Sequence, residues 1–154
     1  MLACSGMSVR GPILALDYGS VRIGMAVSDE AGIFAFPAGV LRSQGRERDL
    51  AALCEVIAER SIRRIVVGLP VHMDGRRGDT ALAAEKFANA IAELTGLPVE
   101  MLDERWTTRE AERALRDSGQ RRKQRRERVD AAAAALLLRT WLDRARGGTA
   151  VDPA

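Results

Sequence analysis

The sequence predicts an α/β fold: a five-stranded mixed sheet with helices on both faces. Three observations carry this. Three short strand-like runs come first and close together; two more follow, each preceded by a helical repeat; and the first run is apolar up to the acid that ends it, as suits a strand covered on both faces. The chain has 154 residues, 47% of them apolar and 29% charged. That suits one domain able to bury a core without a metal or disulfide staple.

Taken in order, residues 1–11 read as a disordered leader and 12–147 as the domain. Ile13 to Asp17 is the first strand, and a tight connection over Tyr18 to Val21 makes a hairpin with a second at Arg22 to Ser28. Ile33 to Val40 is the third, moved to the sheet edge by Pro37, which has no N–H to give a central ladder. Leu50, Leu53, Cys54, Ile57 and Ala58 recur at helical spacing within Arg46 to Arg60. Ile62 to Leu69 is a strand closed by Gly68 and Pro70, and the turn formers of Val71 to Asp79 make a loop.

Thr80 to Leu94 is helical, with Leu82, Ala83, Phe87, Ala90, Ile91 and Leu94 on one side, and Pro98 to Glu104 is the last strand. Thr107 and Glu110 form a capping box for a helix from Thr108 to Ser118, ended by Gly119. A basic loop follows, then a long alanine-rich helix from Arg128 to Arg146 stopped by Gly147 and Gly148. Residues 148–154 read as a flexible tail.

The formal charge is +3, but its placement matters more: Gln120 to Arg128 holds six basic residues and one acid. One patch of this kind, almost all arginine, fits a polyanion and can grip phosphate through planar forks. Cys4 and Cys54 lack metal-ligand spacing, which fits a reducing, cytoplasmic setting. No apolar run reaches the length of a membrane span.

Acids stand at three element ends: Asp17 closes the first strand, Asp103 and Glu104 the last, and Asp130 opens the final helix, whose N-terminus favours an ionised carboxylate. Methyl side chains over Ala131 to Ala135 would let that helix approach the sheet and bring Asp130 near Asp17. Gathered carboxylates repel unless cations neutralise them. Singly, each has an ordinary reading as a turn, surface or helix-start acid. Together, beside an arginine-rich segment, they point to metal-assisted phosphodiester chemistry.

Four blocks then carry a family resemblance. Leu14-Ala15-Leu16-Asp17-Tyr18-Gly19 with Arg22-Ile23-Gly24, Ile65-Val66-Val67-Gly68-Leu69-Pro70 with Asp74-Gly75, Asp103-Glu104-Arg105 with Thr107-Thr108, and Val129-Asp130 with Ala132-Ala133 follow in order over Ile13 to Leu142. The sequence resembles the YqgF family, also called RuvX, of RNase H-like fold and related to the RuvC Holliday-junction resolvases. The resemblance implies a metal-dependent nuclease with Asp17, Glu104 and Asp130 as catalytic acids and metal ligands, Asp103 being the alternative to Glu104 because adjacent strand residues face opposite ways. It implies two Mg²⁺ or Mn²⁺ ions about 3.5 to 4 Å apart, one activating water and one stabilising the leaving 3′ oxygen.

Arg121, Arg122, Lys123, Arg125, Arg126 and Arg128 are the expected phosphate contacts, with a solvated loop as the ordinary alternative. Arg22 and Arg105 border the acids and either touch phosphate or pair with Asp29 or Asp103. His72 stands where the family more often has Asn; Trp106 is placed to stack on a base, and Trp141 to pack in the core or a dimer contact. The partner is nucleic acid, structured RNA or branched DNA. The resemblance implies 5′-end processing of pre-16S rRNA, or else resolution of four-way DNA junctions, which calls for a twofold dimer rather than a monomer. A non-catalytic assembly factor is the third possibility.

Overall fold

The computed structural model describes residues 11–19, 21–69, 79–103 and 122–145, and leaves the side chains of 69, 79, 80, 103 and 122–129 undescribed. The expected leader up to residue 10, the Val71–Gly78 loop, Glu104, Arg105, Trp106, the capping-box helix, Arg121 and the tail lie outside the described residues.

The elements are β1 (Ile13–Tyr18), β2 (Arg22–Ser28), β3 (Ala35–Arg42), α1 (Arg46–Glu59), β4 (Arg64–Leu69), α2 (Asp79–Thr95), β5 (Val99–Asp103) and α3 (Arg122–Ala145). The sheet order is β3-β2-β1-β4-β5, with β1 central. β1, β2 and β3 are an antiparallel meander, whereas β4 lies parallel to β1 and β5 parallel to β4. The mixed sheet is therefore as the sequence predicts.

Period-two alternation divides the core. Leu14 and Leu16 join Ile23, Met25, Ile65 and Val67 beneath Leu50, Leu53 and Ile57 of α1 and Phe87 and Ile91 of α2. The opposite parity, Ile13, Ala15, Ala26, Val66 and Leu102, packs against Ala134, Leu137, Leu138, Trp141 and Leu142 of α3. Leu137 and Leu138 are fully buried, and burying such a side chain contributes about 1.5–3 kcal/mol.

Local hydrogen bonds set boundaries that apolarity alone misplaces. Ile33 and Phe34 are not in β3, because their amides donate to Asp29 Oδ1 at 2.7 and 3.1 Å, a turn that delays the strand to Ala35. Pro37 does lie in the edge strand, beside a bulge: Met25 pairs with Gly39 but Ala26 with Pro37. Ser61 adopts φ 54° at the end of α1, and Ile62 N–H donates to Ile57 O at 3.0 Å. That closes the helix and moves the start of β4 to Arg64.

The largest correction concerns α3, which begins at Arg122, not Arg128. The segment read as a basic loop is helical from Arg122 onward. Arg, Lys, Gln and Glu are good helix formers, and Arg122 to Val129 contains no Gly, Pro, Asn or Asp to interrupt them. The far half of α3 is held by Trp141 Nε1, which donates to Glu100 Oε1 at 3.1 Å, while Arg64 pairs with Glu100 Oε2 at 2.9 Å and its guanidinium lies 5.5 Å from the Trp141 ring centroid. At 1.5 Å rise per residue, Asp130 stands about 16 Å up the helix from Trp141. It is thus carried from the start of β4 and β5 to the carboxyl ends of the parallel strands.

Candidate functional site

Asp17 is the penultimate residue of β1, half-buried, on the parity of Ile13 and Ala15 that faces α3. Its neighbours in register are both glycines, Gly24 on β2 and Gly68 on β4. Both flanking strands therefore lack a side chain at its level.

Gly24 is what allows α3 to come close. A Cβ built there would stand 2.1 Å from the Asp130 carbonyl oxygen, 2.5 Å from its carbon and 3.1 Å from its Cβ. The backbone of α3 at Asp130 thus lies on the bare backbone of β2, one strand spacing, about 4.8 Å, from β1. A glycine inside a strand often marks such an approach. Sequence reading included Gly24 only as part of a family block; its role as a seat for the helix was missed, although glycine in an otherwise apolar strand was the signal.

Asp130 is not at the helix start, as the sequence suggested, but two turns inside α3. The helix N-terminus therefore does not supply its compensating charge. Arg22 does: its Nε donates to Asp130 Oδ2 at 2.6 Å, with the two side chains 24% and 21% exposed. Arg22, Gly24 and Ala26 share one face of β2, so the guanidinium rises from the same strand face on which the helix sits. Of the alternatives open to Arg22, pairing with Asp29 is not observed; Asp29 accepts from the Ile33 and Phe34 amides.

Tyr18, next to Asp17 but on the other face, anchors the end of β1 by packing its ring 5.0 Å from that of Phe87. Burial, then the carboxylate of Asp49, raises its hydroxyl above the ordinary tyrosine range, partly opposed by Arg46. Asp49 is itself buried, accepting from Ser43 Oγ at 2.6 Å and Gln44 N at 2.9 Å.

On β5, Leu69 and Gly68 of β4 stand beside Asp103 and Leu102, which puts this strand end about two strand spacings, roughly 10 Å, from Asp17. Glu100 and Leu102 share the α3 face through their contacts with Trp141 and the α3 core. Arg122, Lys123, Arg125, Arg126 and Arg128 occupy the first two turns of α3 that lead into Asp130. Among the described residues no group of three or more acid, His or Cys side chains is arranged to hold a metal ion; two of the expected acids, Asp17 and Asp130, are described in full. Trp141 is a buried core residue. No helix of the described residues is long and apolar enough to cross a membrane.

Comparison with known proteins agrees with this architecture. A protein from Anaeromyxobacter sp. (strain Fw109-5) named "Putative pre-16S rRNA nuclease" is 46% identical over 130 residues, covering 84% of this chain and 95% of that one. A protein of the same name from Koribacter versatilis is 45% identical over 137 residues, covering 89% and 90%. Thermus thermophilus RuvC, solved in complex with a Holliday junction substrate, shares the fold at a TM-score of 0.56 and 17% identity, over 89% of this chain and 96% of that one. The family model for RuvX, described as Holliday junction resolvase, matches residues 11–144, and the chain belongs to the RuvX family.

Proposed function

We propose that the protein is a divalent-metal-dependent nuclease acting on structured RNA, in 5′-end processing of pre-16S rRNA. The observation that carries the reading is the approach of α3 over Gly24, which brings Asp130 to the face and strand end that bear Asp17, with a cationic Arg22 beside them. Two carboxylates from opposite ends of the chain, on one face at the carboxyl ends of parallel strands, are the region where α/β sheets collect ligands. The names of the relatives favour the RNA substrate.

The donor set is oxygen only, which suits Mg²⁺ or Mn²⁺ over softer metals. Asp17 and Asp130 would hold it with a third acid from the end of β5. Glu104, which alternate spacing along the sequence sets with Glu100 and Leu102, is our choice of third ligand, with Asp103 the alternative. When bound, such ions supply an activated water and offset the charge that grows on the leaving oxygen. The chain's own part is to fix the two acids: β1 holds Asp17 in a central strand, and Gly24 sets the height of α3. Arg22 and Arg105, with Arg121, Arg122, Lys123, Arg125, Arg126 and Arg128 on the approach to Asp130, bind the phosphates flanking the scissile bond, so affinity falls steeply with added salt. The protein works in the cytoplasm.

Cleavage of labelled precursor rRNA, single-stranded RNA and a four-way DNA junction by one preparation with Mn²⁺ tests the assignment. Expected is cutting of the precursor that disappears in Asp17→Asn while binding survives; retained cutting in that variant overturns the site. The family model's description favours a second reading, junction resolution, which predicts symmetric cutting by a homodimer and little action on RNA. Binding without cutting in the wild-type protein would instead identify an assembly factor.

A further inference from the structure

Arg22 stands in a position that a simple phosphate contact does not explain. Its Nε, not a terminal amino group, meets Asp130 Oδ2 at 2.6 Å, and both side chains are largely withdrawn from solvent. Asp17 faces Gly24 across the β1–β2 ladder, so Arg22, two residues earlier on the same face, is its diagonal neighbour at about 7–8 Å. One fixed positive charge is therefore bonded to Asp130 and stands one diagonal step along the sheet from Asp17.

We propose that Arg22 is a built-in counter-ion which a divalent cation must displace from Asp130, so that the guanidinium and the metal compete for one carboxylate and the displaced arginine passes to a substrate phosphate. The inference rests on the metal-dependent reading above and deepens it. A guanidinium in contact with Oδ2 and a doubly charged ion on the same carboxylate repel each other, and the arginine stem can rotate away while a metal ligand must stay. The guanidinium suits the second half of the exchange because its planar donors match phosphate oxygens. Metal and phosphodiester binding are then linked: whatever draws Arg22 from Asp130 assists the cation, and the cation by reciprocity assists substrate.

The test is Mn²⁺ affinity, read from the electron paramagnetic resonance of free Mn²⁺ at low ionic strength without nucleic acid, for wild type, Arg22→Gln, Arg22→Lys and Asp130→Asn. Removing the competing charge in Arg22→Gln is expected to tighten Mn²⁺ binding by about tenfold. Arg22→Lys, which keeps the charge but not the fork, tightens it less, and Asp130→Asn weakens it. In EDTA the Arg22→Gln midpoint for thermal unfolding falls below wild type, and added Mn²⁺ raises it by more than it raises wild type. Equal or weaker Mn²⁺ binding in folded Arg22→Gln overturns the proposal and makes Arg22 a strut that positions Asp130 for the metal. If Arg22→Gln does not fold, Arg22→Lys carries the same sign test. Absence of Mn²⁺ binding in wild type overturns the metal-dependent reading itself, and this inference with it.

Discussion

Replacing Gly24 with alanine tests whether the seat for α3 creates the site. The added methyl would lie 2.1 Å from the Asp130 carbonyl oxygen, where ordinary contact begins near 3.4 Å. The atoms it meets are helix backbone, which has no rotamer to change, so α3 must lift by about 1 Å to restore van der Waals separation. Gly24 is not at positive φ among the described glycines, so steric contact alone is at stake. Overpacking of this kind costs about 1–3 kcal/mol. At about 2–4 °C per kcal/mol for a chain near this size, the thermal midpoint is expected to fall by roughly 2–12 °C. Cleavage, measured with Mn²⁺ well below that midpoint, should fall by about 100-fold, since an ångström of misplacement in a catalytic group has that scale. A Gly24→Ala protein that melts and cleaves like wild type would refute the reasoning, because α3 would then not depend on the bare backbone of β2.

Asp49→Ala leaves the Ser43 hydroxyl and the Gln44 amide without their buried acceptor and is expected to cost about 1–3 kcal/mol in urea unfolding. Asp49→Asn should bring the Tyr18 hydroxyl down towards the usual range by removing one cause that raises it; the chain has a single tyrosine, so ultraviolet titration reads it directly. Trp141→Phe loses the bond to Glu100 and should lower stability by about 1 kcal/mol, with guanidinium unfolding as the measure. Asp29 is held below the ordinary aspartate value by the Phe34 and Ile33 amides. A carboxylate lowered in the folded state stabilises above its unfolded pKa and loses that contribution as pH falls through the folded one, so Asp29→Asn should flatten the acid-side loss of stability below about pH 4.

Much of this fold is legible locally. The apolar run of β1, the hairpin partner β2 and the helical repeats of α1 and α2 are short-range patterns, and the structure returns them with boundaries moved by a residue or two. At β3 a polar contact caused the shift of the start from Ile33 to Ala35: the Ile33 and Phe34 amides donate to Asp29. The start of α3 was misplaced for another reason: a run of basic residues was read as solvated loop from its charge, while the helix propensity of the same residues was left uncounted.

By itself the sequence determined which acids the chain offers, Asp17, Asp103, Glu104 and Asp130, the burial of the first strand on both faces, and the family blocks around them. Only the tertiary structure decided that the charge of Asp130 is met by Arg22 from 108 residues away, and that Gly24 sets the height of the helix above the sheet. Periodicity depends on neighbours a few residues apart and is written along the chain. A contact between a strand and a helix at opposite ends of it depends on register and on the closest approach of two backbones, and those are settled only when the whole core packs.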